Sequence, residues 1–410
     1  MSEWKTYKLG NLINVQNGYA FKSEDFSDKG TPIIKIKNIV SPRISFDECE
    51  YFDGDLDSRM GQFLVKKGDI LISMTGSHLN QIASAVGKVG KYQFDFPALL
   101  NQRVGRLLSK DKKVLNESFF YYFISRIETQ IDLVTSAGGS GNQANISPSQ
   151  IKNLELSLPD LPTQTAIAQI LTSLDDKIEL NLQMNQTLEA MAQALFKEWF
   201  VNFNFPGFDG ELVDGLPKGW RKCQVKDICE VNASTLNSKD AINEVHYIEI
   251  SEVDRGIIKN IGIYKRGEEP SRAKRKLKHG DTVLSTVRPN RGSYFLSIFP
   301  TENLIASTGF AVFSPTTVSF SYLYIFLTND EQLEFYGKMA DGAAYPAINQ
   351  SVIMNMEIIL PTKDLLEIYQ DVSGNLLIRI FENLEANKTL TQTRDTLLPK
   401  LMSGKIKTQA

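Results

Sequence analysis

The sequence predicts an α+β protein made of two tandem copies of one unit, each a globular domain followed by a long helix. Apolar residues follow a heptad pattern from Thr163 to Phe203, a stretch without Gly or Pro. The pattern returns 202 residues later, so that Ile178 corresponds to Ile380. The globular part repeats as well, because KKGDILISMTG (66–76) is echoed by KHGDTVLSTVR (278–288). Two copies of one helix indicate a helix pair.

Two consecutive inward positions of the first helix are asparagines, Asn181 and Asn185, and both return as Asn383 and Asn387. Most amphipathic helices simply bury one face in a domain core, and that reading remains the alternative. A buried asparagine at a heptad seam weakens a coiled coil but fixes its alignment. We therefore predict an intramolecular pair in which Asn181 and Asn185 align with Asn387 and Asn383. The seam positions are Leu174, Ile178, Asn181, Asn185, Leu188, Leu376, Ile380, Asn383, Asn387 and Leu390.

Length and composition describe an ordinary globular protein. The chain has 410 residues, enough for two or three domains, with 42% hydrophobic and 23% charged residues. No apolar run reaches the roughly 18 residues of a membrane helix, and the N-terminus lacks a signal-peptide core, so we expect a cytoplasmic protein. The three cysteines have no metal-ligand spacing and are expected to be reduced and structural.

Charge is unevenly distributed although the net charge is only −3. The segment from Arg255 to Arg291 contains eleven Lys or Arg and three acidic residues, whereas the helix from Asp160 to Phe200 contains six acidic residues and two lysines. Accidental surface charge is the usual explanation. The segregation also suits basic recognition domains joined by a spacer that avoids DNA.

Short apolar runs broken by Gly, Asn, Asp and Pro predict strands in the first globular part, as at Pro32–Ile39 and Asp69–Met74. A helix is predicted near Glu117–Leu133, and a second long helix over Asp364–Met402 with a weak spot at Gly374. The predicted boundaries are 1–160 for the first domain, 161–205 for the first long helix, 206–361 for the second domain and 362–410 for the second helix.

Enzyme signatures are missing from the sequence. It contains no GxxxxGK[ST] phosphate loop, no HExxH, and only three histidines, none spaced for a metal site. The Gly-rich run at 138–141 lacks the strand-then-helix setting of a phosphate cradle. We therefore predict no catalytic residue and no metal site in this chain.

With enzyme signatures missing, the chemistry left to consider is the recognition of DNA. Arg reads guanine and Asn or Gln reads adenine in the major groove, while Lys and backbone amides hold phosphates. Polar clusters occur in both domains, although each single residue is more often only a solvated loop residue. The candidate DNA-binding residues are Lys35, Lys37, Asn38, Ser77, His78, Asn80, Gln81, Asn101, Gln102, Arg103, Asn142, Gln143, Asn145, Lys274, Arg275, Lys276, Arg288, Asn290, Arg291, Tyr345 and Asn349.

Several phrases of the chain resemble those of the specificity subunits of type I restriction-modification systems, over nearly its full length. They are GYAF (18–21), PIIKIKNI (32–39), LFKEWFVNF (195–203), LPKGW (216–220), STVRP (285–289), STGFAVF (307–313), YPAINQ (345–350) and LLPKLMSGKI (397–406). The domain interiors vary greatly within that family, so no base-contacting residue can be carried over from it.

The resemblance implies two pseudo-twofold-related target-recognition domains, separated by two long helices in an antiparallel coiled coil that acts as a ruler. Each domain would read one half of a bipartite double-stranded DNA target, on opposite strands. Two adenine methyltransferase subunits using S-adenosylmethionine would dock on the subunit, and ATP- and Mg-dependent restriction subunits would join them. The chain lacks the [DNS]PP[YF] motif of adenine methylases, so those cofactors are expected on the partners and none in this chain.

Two other functions remain open from the sequence alone. A scaffold whose helix pair assembles other subunits without reading DNA would show no sequence preference. An enzyme with an unrecognised active site would show turnover by the isolated chain.

Overall fold

The computed structural model describes residues 4–78, 81, 84, 86–139, 143–342 and 346–408. The chain divides into two compact units. The first comprises Met1–Lys177 and Leu390–Ala410, and the second comprises Ile178–Thr389, so each unit holds one globular domain and part of both long helices. Within the described residues, no helix is both long enough and apolar enough to cross a membrane.

In its described residues, the first unit contains fourteen strands, five short helices, the start of one long helix and the end of the other. Its strands are β1 Lys5–Lys8, β2 Ile13–Asn17, β3 Thr31–Ile34, β4 Ile39–Val40, β5 Arg43–Ile44, β6 Glu50–Phe52, β7 Leu64–Val65, β8 Ile70–Ser73, β9 Thr75–Gly76, β10 Val89–Lys91, β11 Ala98–Leu100, β12 Val104–Ser109, β13 Ala144–Asn145 and β14 Glu155–Leu158. Its helices are α1 Leu9–Leu12, α2 Ser58–Gly61, α3 Glu117–Ile124, α4 Ile127–Ser136, α5 Pro148–Asn153 and α6 Leu161–Phe196, with 3₁₀ turns at Ser23–Asp25 and Ile36–Asn38.

Two four-stranded sheets form the first globular domain. One has the antiparallel order β10-β8-β12-β2, and the other has the order β6-β3-β11-β7, in which β3 and β11 run parallel. Strand β8 is buried at all four positions, as expected for an inner strand covered on both faces. The core between the sheets and helices includes Phe119, Phe120 and Ile72, and it also takes in Leu171 and Leu401 from the long helices.

The second unit repeats this inventory. Its strands are β15 Leu212–Val213, β16 Leu216–Pro217, β17 Arg221–Gln224, β18 Cys229–Val231, β19 Glu244–Ile248, β20 Val253–Asp254, β21 Ile257–Ile258, β22 Gly262–Lys265, β23 Ala273–Lys276, β24 Thr282–Ser285, β25 Tyr294–Leu296, β26 Leu304–Ser307, β27 Phe310–Pro315 and β28 Glu357–Leu360. Its helices are α7 Phe320–Thr328, α8 Asp330–Met339, α9 Gln350–Met354, α10 Lys363–Tyr369 and α11 Asn375–Met402, with 3₁₀ turns at Val225–Asp227, Ile250–Glu252 and Pro289–Arg291 and π-helical turns at Lys197–Val201 and Gln370–Gly374.

The sheets of the second unit have the same topology as those of the first. The order β18-β27-β24-β25 matches β2-β12-β8-β10, and β22-β19-β26-β23 matches β6-β3-β11-β7, again with one parallel pair, β19 and β26. Pairs β17-β28 and β20-β21 match β1-β14 and β4-β5, while the β15-β16 hairpin has no counterpart among the described strands of the first unit. The predicted α+β class and internal repeat are confirmed.

One predicted strand of the first domain is shorter than expected. The strand predicted to end at Ile39 stops at Ile34, because the Asn38 side chain accepts from the Lys35 backbone N–H at 2.9 Å and closes a 3₁₀ turn. The helical region predicted around Glu117–Leu133 is present as two helices, because Arg126 leaves the helical conformation with ψ 145°. Local side-chain to backbone bonds of this kind compete with regular structure.

The first long helix begins at Leu161 and, with its π-helical turn, ends at Val201, whereas the heptad pattern runs from Thr163 to Phe203. Asp160 caps it, since its carboxylate accepts from the Thr163 N–H at 2.9 Å. After α6 the π-helical turn Lys197–Val201 completes the helix, and it buries the adjacent rings of Trp199 and Phe200 together. A π turn adds one residue per turn, which allows two neighbouring side chains to face the same core.

The weak spot predicted at Gly374 is a π-helical turn, Gln370–Gly374, between α10 and α11. The Gln370 side chain occupies the space that a Cβ at position 374 would need. The same Gln370 amide accepts from the Ser321 hydroxyl at 2.9 Å, which ties the helix to α7. A side chain at position 374 would therefore displace the end of the Gln370 side chain.

Four hydrogen bonds join α6 to α11 in the second unit. The Asn181 amide donates to Asn387 at 2.7 Å, and the Asn383 amide donates to Asn185 at 2.8 Å. The Asn387 amide also donates to the Ile178 carbonyl at 3.3 Å, and the Asn185 amide donates to the Ile380 carbonyl at 3.4 Å. Residue numbers rise along one helix and fall along the other, so the pairing is antiparallel with the alignment that the repeat predicts.

The other seam residues of both helices are buried or half-buried. Ile178 is buried, and Leu376 and Ile380 pack against the core of the second unit. Leu174, Leu188 and Leu390 are half-buried. The seam is therefore apolar on either side of the four asparagines.

The first unit ties its domain to both helices through a charged cluster. The Tyr122 hydroxyl donates to Asp175 of α6 at 2.6 Å, and Arg394 of α11 donates to the other oxygen of Asp175 at 2.8 Å. In the second unit the residues 202 positions away, Leu377 and Ala192, lie in the apolar core instead. One repeat thus uses an ion pair where the other uses apolar packing.

We expect Asn181→Leu to lower the free energy of unfolding by about 1–3 kcal/mol, because it leaves the buried side-chain oxygen of Asn387 without its hydrogen-bond donor. Replacing both residues, Asn181→Leu with Asn387→Leu, should recover most of that loss, since two apolar side chains need no hydrogen bond. Urea unfolding followed by circular dichroism measures both effects, with Gln186→Leu on the exposed face of α6 as the control. A double variant no more stable than the single variant would contradict the pairing.

Candidate nucleic-acid interface

Three polar segments of the first domain meet where β8 ends. The Met74 N–H donates to the Arg103 carbonyl at 2.8 Å, and the Met74 carbonyl accepts from the Ile146 N–H at 3.0 Å. The next residue, Thr75, donates its hydroxyl to the Asn145 side chain at 2.8 Å. We call residues 74–78, 101–103 and 143–146 the first hub.

The second domain forms the same arrangement around Thr286, which corresponds to Met74 in the repeated motif. The Thr286 N–H donates to the Gly309 carbonyl at 2.9 Å, and the Thr286 carbonyl accepts from the Ile348 N–H at 2.9 Å. The Arg288 N–H adds a bond to the Pro346 carbonyl at 2.7 Å. We call residues 286–292, 307–309 and 346–349 the second hub, and its backbone bonds repeat those of the first.

Several candidate side chains of the first hub face solvent. Gln102, Arg103 and Gln143 are exposed, and within the described part of the chain the Arg103 guanidinium has no ion-pair partner. Asn145 is also exposed, although its side-chain oxygen already accepts from Thr75. These residues have the donors and acceptors that base edges and phosphates require.

The segment that follows the first hub is partly held by its own bonds. The Ser77 hydroxyl shares a hydrogen bond with Ser84 at 2.7 Å and donates to the Gln81 carbonyl at 3.0 Å. His78 is half-buried, and Gln81 is exposed. Of these candidates, Gln81 is therefore the one with a solvent-facing amide.

Two candidates are internal and are removed from the set. Asn38 is 1% exposed, and its amide accepts from Lys35 N–H and donates to the Ser45 carbonyl. Asn101 is 8% exposed and accepts from the Arg103 N–H at 3.4 Å. Both side chains shape turns, and a base edge cannot reach them there.

Lys35 and Lys37 share one acidic partner. Both ammonium groups pair with Glu50, Lys37 at 3.7 Å, and the Lys35 ammonium also lies 3.9 Å from the centre of the Phe26 ring. The Lys37 side chain is 44% exposed and the Lys35 side chain 26% exposed. Glu50 therefore lowers the local positive charge that these lysines offer to a phosphate.

The second hub presents a tight turn, Arg288 to Gly292. Arg288 has φ 47° and Gly292 has φ 76°, both in the left-handed region. Asn290 and Arg291 are exposed, and Arg288 is half-buried. Asn349 is exposed and caps α9, since its side chain accepts from the Ser351 N–H at 3.0 Å. The turn thus holds two arginines and an asparagine within four residues.

Lys274, Arg275 and Lys276 do not occupy the place that matches Lys35 and Lys37. They lie in β23, the counterpart of β7, whereas the two first-domain lysines follow β3. Lys276 pairs with Asp240 at 2.6 Å. Burial lowers the pKa of Arg275, and its Nε has no hydrogen-bond partner within the described residues.

Asn80, Asn142 and Tyr345 lie outside the described residues. Arg255 and Arg272 are exposed residues that are not among the DNA-binding candidates predicted from the sequence. The Arg255 N–H donates to the Gly292 carbonyl at 2.7 Å, and the Arg272 carbonyl accepts from the Thr308 N–H at 2.8 Å, so both border the second hub. These two residues reach the hub through long-range strand pairing. In the sequence, the feature that could have pointed to them is the basic composition of residues 255–291.

Metal-binding groups and thiols are the other reactive side chains to consider among the described residues. No group of three His, Cys, Asp or Glu in them could hold a metal ion. Burial raises the pKa of the thiols of Cys49 and Cys223, and it raises the pKa of Cys229 to about 12. Thiols that stay protonated are poor nucleophiles.

A family model described as the type I restriction modification DNA specificity domain matches residues 1–190 and 217–395. The chain belongs to this family. The family resemblance inferred from sequence phrases is thereby confirmed. Each matched segment contains one hub, so the duplicated geometry coincides with the duplicated family domain.

Members of the specificity family from distant organisms match this chain. The type I restriction enzyme HindI specificity subunit of Haemophilus influenzae is 25% identical over 474 residues, covering 99% of this chain and 100% of that protein. The MjaIX specificity subunit of Methanocaldococcus jannaschii is 23% identical over 327 residues, covering 76% and 74%. The crystal structure of a type I restriction-modification S subunit from M. genitalium shares the fold, with a TM-score of 0.58, 17% identity and coverage of 97% and 96%.

We expect Arg106→Ala to lower the free energy of unfolding by about 1.5–3 kcal/mol, whereas Arg103→Ala should change it by less than about 0.5 kcal/mol. Arg106 is half-buried, donates to the Leu64 carbonyl at 2.6 Å and pairs with Asp69 at 3.1 Å. Calorimetric unfolding of both variants tests this difference. A large loss in Arg103→Ala would show that this arginine is structural and would remove it from the interface.

Proposed function

We propose that this chain is the sequence-specific DNA-recognition subunit of a type I restriction-modification complex, with each domain reading one half of a bipartite target. The duplicated hub supports this proposal. The same backbone hydrogen bonds present exposed polar loops in both domains, around Met74 and around Thr286. Two equivalent reading surfaces in one chain match a target with two parts.

In the second hub, Arg288 and Arg291 are the candidates for bidentate contacts to guanine, and Asn290 is the candidate for adenine. In the first hub, Arg103 takes the guanine role, and Gln102 or Gln143 the adenine role. Arg272, at the border of the second hub, supplies a phosphate contact, which positions the domain without reading sequence. The net charge of −3 makes these local basic patches the source of attraction to DNA.

The helix pair is proposed as the spacer between the two half-sites. The asparagine bonds between α6 and α11 fix how far one helix runs along the other. The 36 residues of α6 extend roughly 54 Å at about 1.5 Å per residue. That length is comparable to a dozen or more base pairs at about 3.4 Å each.

Catalysis is assigned to partner subunits. We propose that two methyltransferase subunits methylate adenine with S-adenosylmethionine, and that restriction subunits add ATP- and Mg-dependent cleavage, in the cytoplasm. The absence of an adenine-methylase motif in this sequence supports the division of labour. This chain then contributes the choice of site.

Single-molecule methylome sequencing of a host that carries this chain and its methyltransferase tests the function. The expected result is one bipartite adenine motif, two short defined halves separated by an unread spacer. A methylated motif without a spacer, or methylation with no sequence preference, would contradict the proposal and favour the scaffold function.

Inserting seven residues in each helix, near Gln183 and near Glu385, should lengthen the unread spacer while both half-sites stay the same. Seven residues add about 10 Å of helix, close to three base pairs, and a full heptad keeps the seam facing inward. The same methylome measurement reads the spacer directly. A matched insertion of seven residues in the exposed segment after Phe208 is the control, and an unchanged spacer in the double insertion would contradict the ruler.

Arg288→Ala should weaken or relax reading in the second half-site only, by about 1–3 kcal/mol if Arg288 makes a bidentate guanine contact. Competition binding with DNA changed at single positions in either half measures the effect. Arg379→Ala, an exposed arginine of α11 paired with Glu382, is the control. An equal loss of affinity for every DNA sequence would indicate that Arg288 contacts a phosphate.

A further inference from the structure

Besides the bond from the Arg288 N–H to the Pro346 carbonyl, the turn Arg288–Gly292 in the second hub is held by contacts on two further sides. Its own bonds are few, from Arg291 N–H to the Arg288 carbonyl at 3.0 Å and from Gly292 N–H to the Pro289 carbonyl at 3.2 Å. Two such bonds do not by themselves fix the direction of exposed side chains. The surroundings of the turn therefore decide how Arg288, Asn290 and Arg291 point.

Arg255 supports one side of the turn from the tip of the β20-β21 hairpin. Its N–H donates to the Gly292 carbonyl at 2.7 Å, and the next N–H, of Gly256, donates to the Tyr294 carbonyl at 2.8 Å. A Cβ at Gly292 would lie 2.9 Å from the Arg255 Cγ, so the stem of Arg255 lies directly against the turn. Gly292 is required here both by this contact and by its φ of 76°.

Helix α8 supports the other side. A Cβ at Gly337 of α8 would lie 2.9 Å from the Asn290 Cβ, so the helix backbone packs on the turn. Asp330, the first residue of α8, accepts from the Arg255 guanidinium at 3.0 Å. Arg255 therefore contacts the turn with its backbone and stem, and the supporting helix with its charged end.

Backbone strain marks both sides of this contact. Arg255 has φ 39° and Arg288 has φ 47°, in the left-handed region that long side chains rarely adopt. Such conformations persist where the surrounding structure holds them, and they gather at functional sites.

The first domain lacks this arginine. The matching hairpin, β4-β5, has Ser41 and Pro42 at its tip, and the Ser41 hydroxyl donates to the Val89 carbonyl at 2.7 Å. The hairpin thus rests on the neighbouring strand through a short polar side chain. Any effect of Arg255 should be confined to the second domain.

We propose that Arg255 is a positioning residue for the second reading surface, which orients the Arg288–Gly292 turn without contacting a base itself. This inference rests on the proposed function. The Arg255 and Asp330 side chains are 55% and 78% exposed, so their ion pair adds little stability in water. The position of the turn depends on the Arg255 side-chain stem over Gly292 and on the strained backbone. The ion pair with Asp330 sets the direction of that stem.

The test uses the full chain in complex with its methyltransferase, and measures binding to DNA with single-base changes in each half-site. Arg255→Ala should reduce discrimination in the second half-site about tenfold, the size of one good base contact, and leave the first half-site unchanged. Arg255→Lys keeps a long stem and a positive charge and should restore most of the discrimination. Lys259→Ala is the matched control, because Lys259 is an exposed cation in the same hairpin, paired with Asp254 at 2.8 Å.

The salt dependence of binding separates positioning from direct contact. A positioning residue leaves the slope of log affinity against log salt unchanged. If the slope for Arg255→Ala falls by about one while discrimination is unchanged, Arg255 contacts a phosphate and the proposal is overturned. Unchanged discrimination, or equal loss at both half-sites, would also overturn it. If the wild-type complex reads no bipartite target, the proposed function itself fails.

Discussion

The buried amide groups between α6 and α11 are the constraint on which the helix pair depends. A buried amide without a partner costs far more than a mismatch of apolar side chains, so the two helices settle where Asn181 meets Asn387 and Asn185 meets Asn383. Two further bonds to backbone carbonyls reinforce this alignment. A purely apolar seam could slide by a heptad, whereas here all four asparagine side chains are hydrogen-bonded in one alignment, and the buried Asn181 Oδ1 has no partner within the described residues.

The hubs show how one architecture can present different recognition surfaces. Met74 and Thr286 make equivalent bonds through backbone N–H and carbonyl groups, which do not depend on the side chain. The neighbouring side chains are then free to differ, a Gln-Arg pair at 102–103 in one domain and an Arg-Pro-Asn-Arg turn in the other. Reading chemistry can thus change without disturbing the fold that places it.

The two repeats differ where their domains meet the helices. Tyr122, Asp175 and Arg394 form a charged cluster in the first unit, while the corresponding positions Leu377 and Ala192 of the second unit are apolar. The Asp175 and Arg394 side chains are 26% and 17% exposed, so removing one partner leaves a poorly solvated charge. Apolar packing in the other unit tolerates substitution more evenly. Duplication therefore preserved topology while the local chemistry diverged.

The sequence by itself determined the repeat, the long helices, the asparagine alignment and the family, because heptad spacing and the 202-residue offset are properties of the chain order. It also located the segments of both hubs other than 307–309. Tertiary structure alone decided which polar residues are available, since burial of Asn38 and Asn101, the pairing of Lys35 and Lys37 with Glu50, and the approach of Arg255 to Gly292 all depend on contacts between distant segments. Local patterns encode periodicity, but they carry no information about which strands lie side by side.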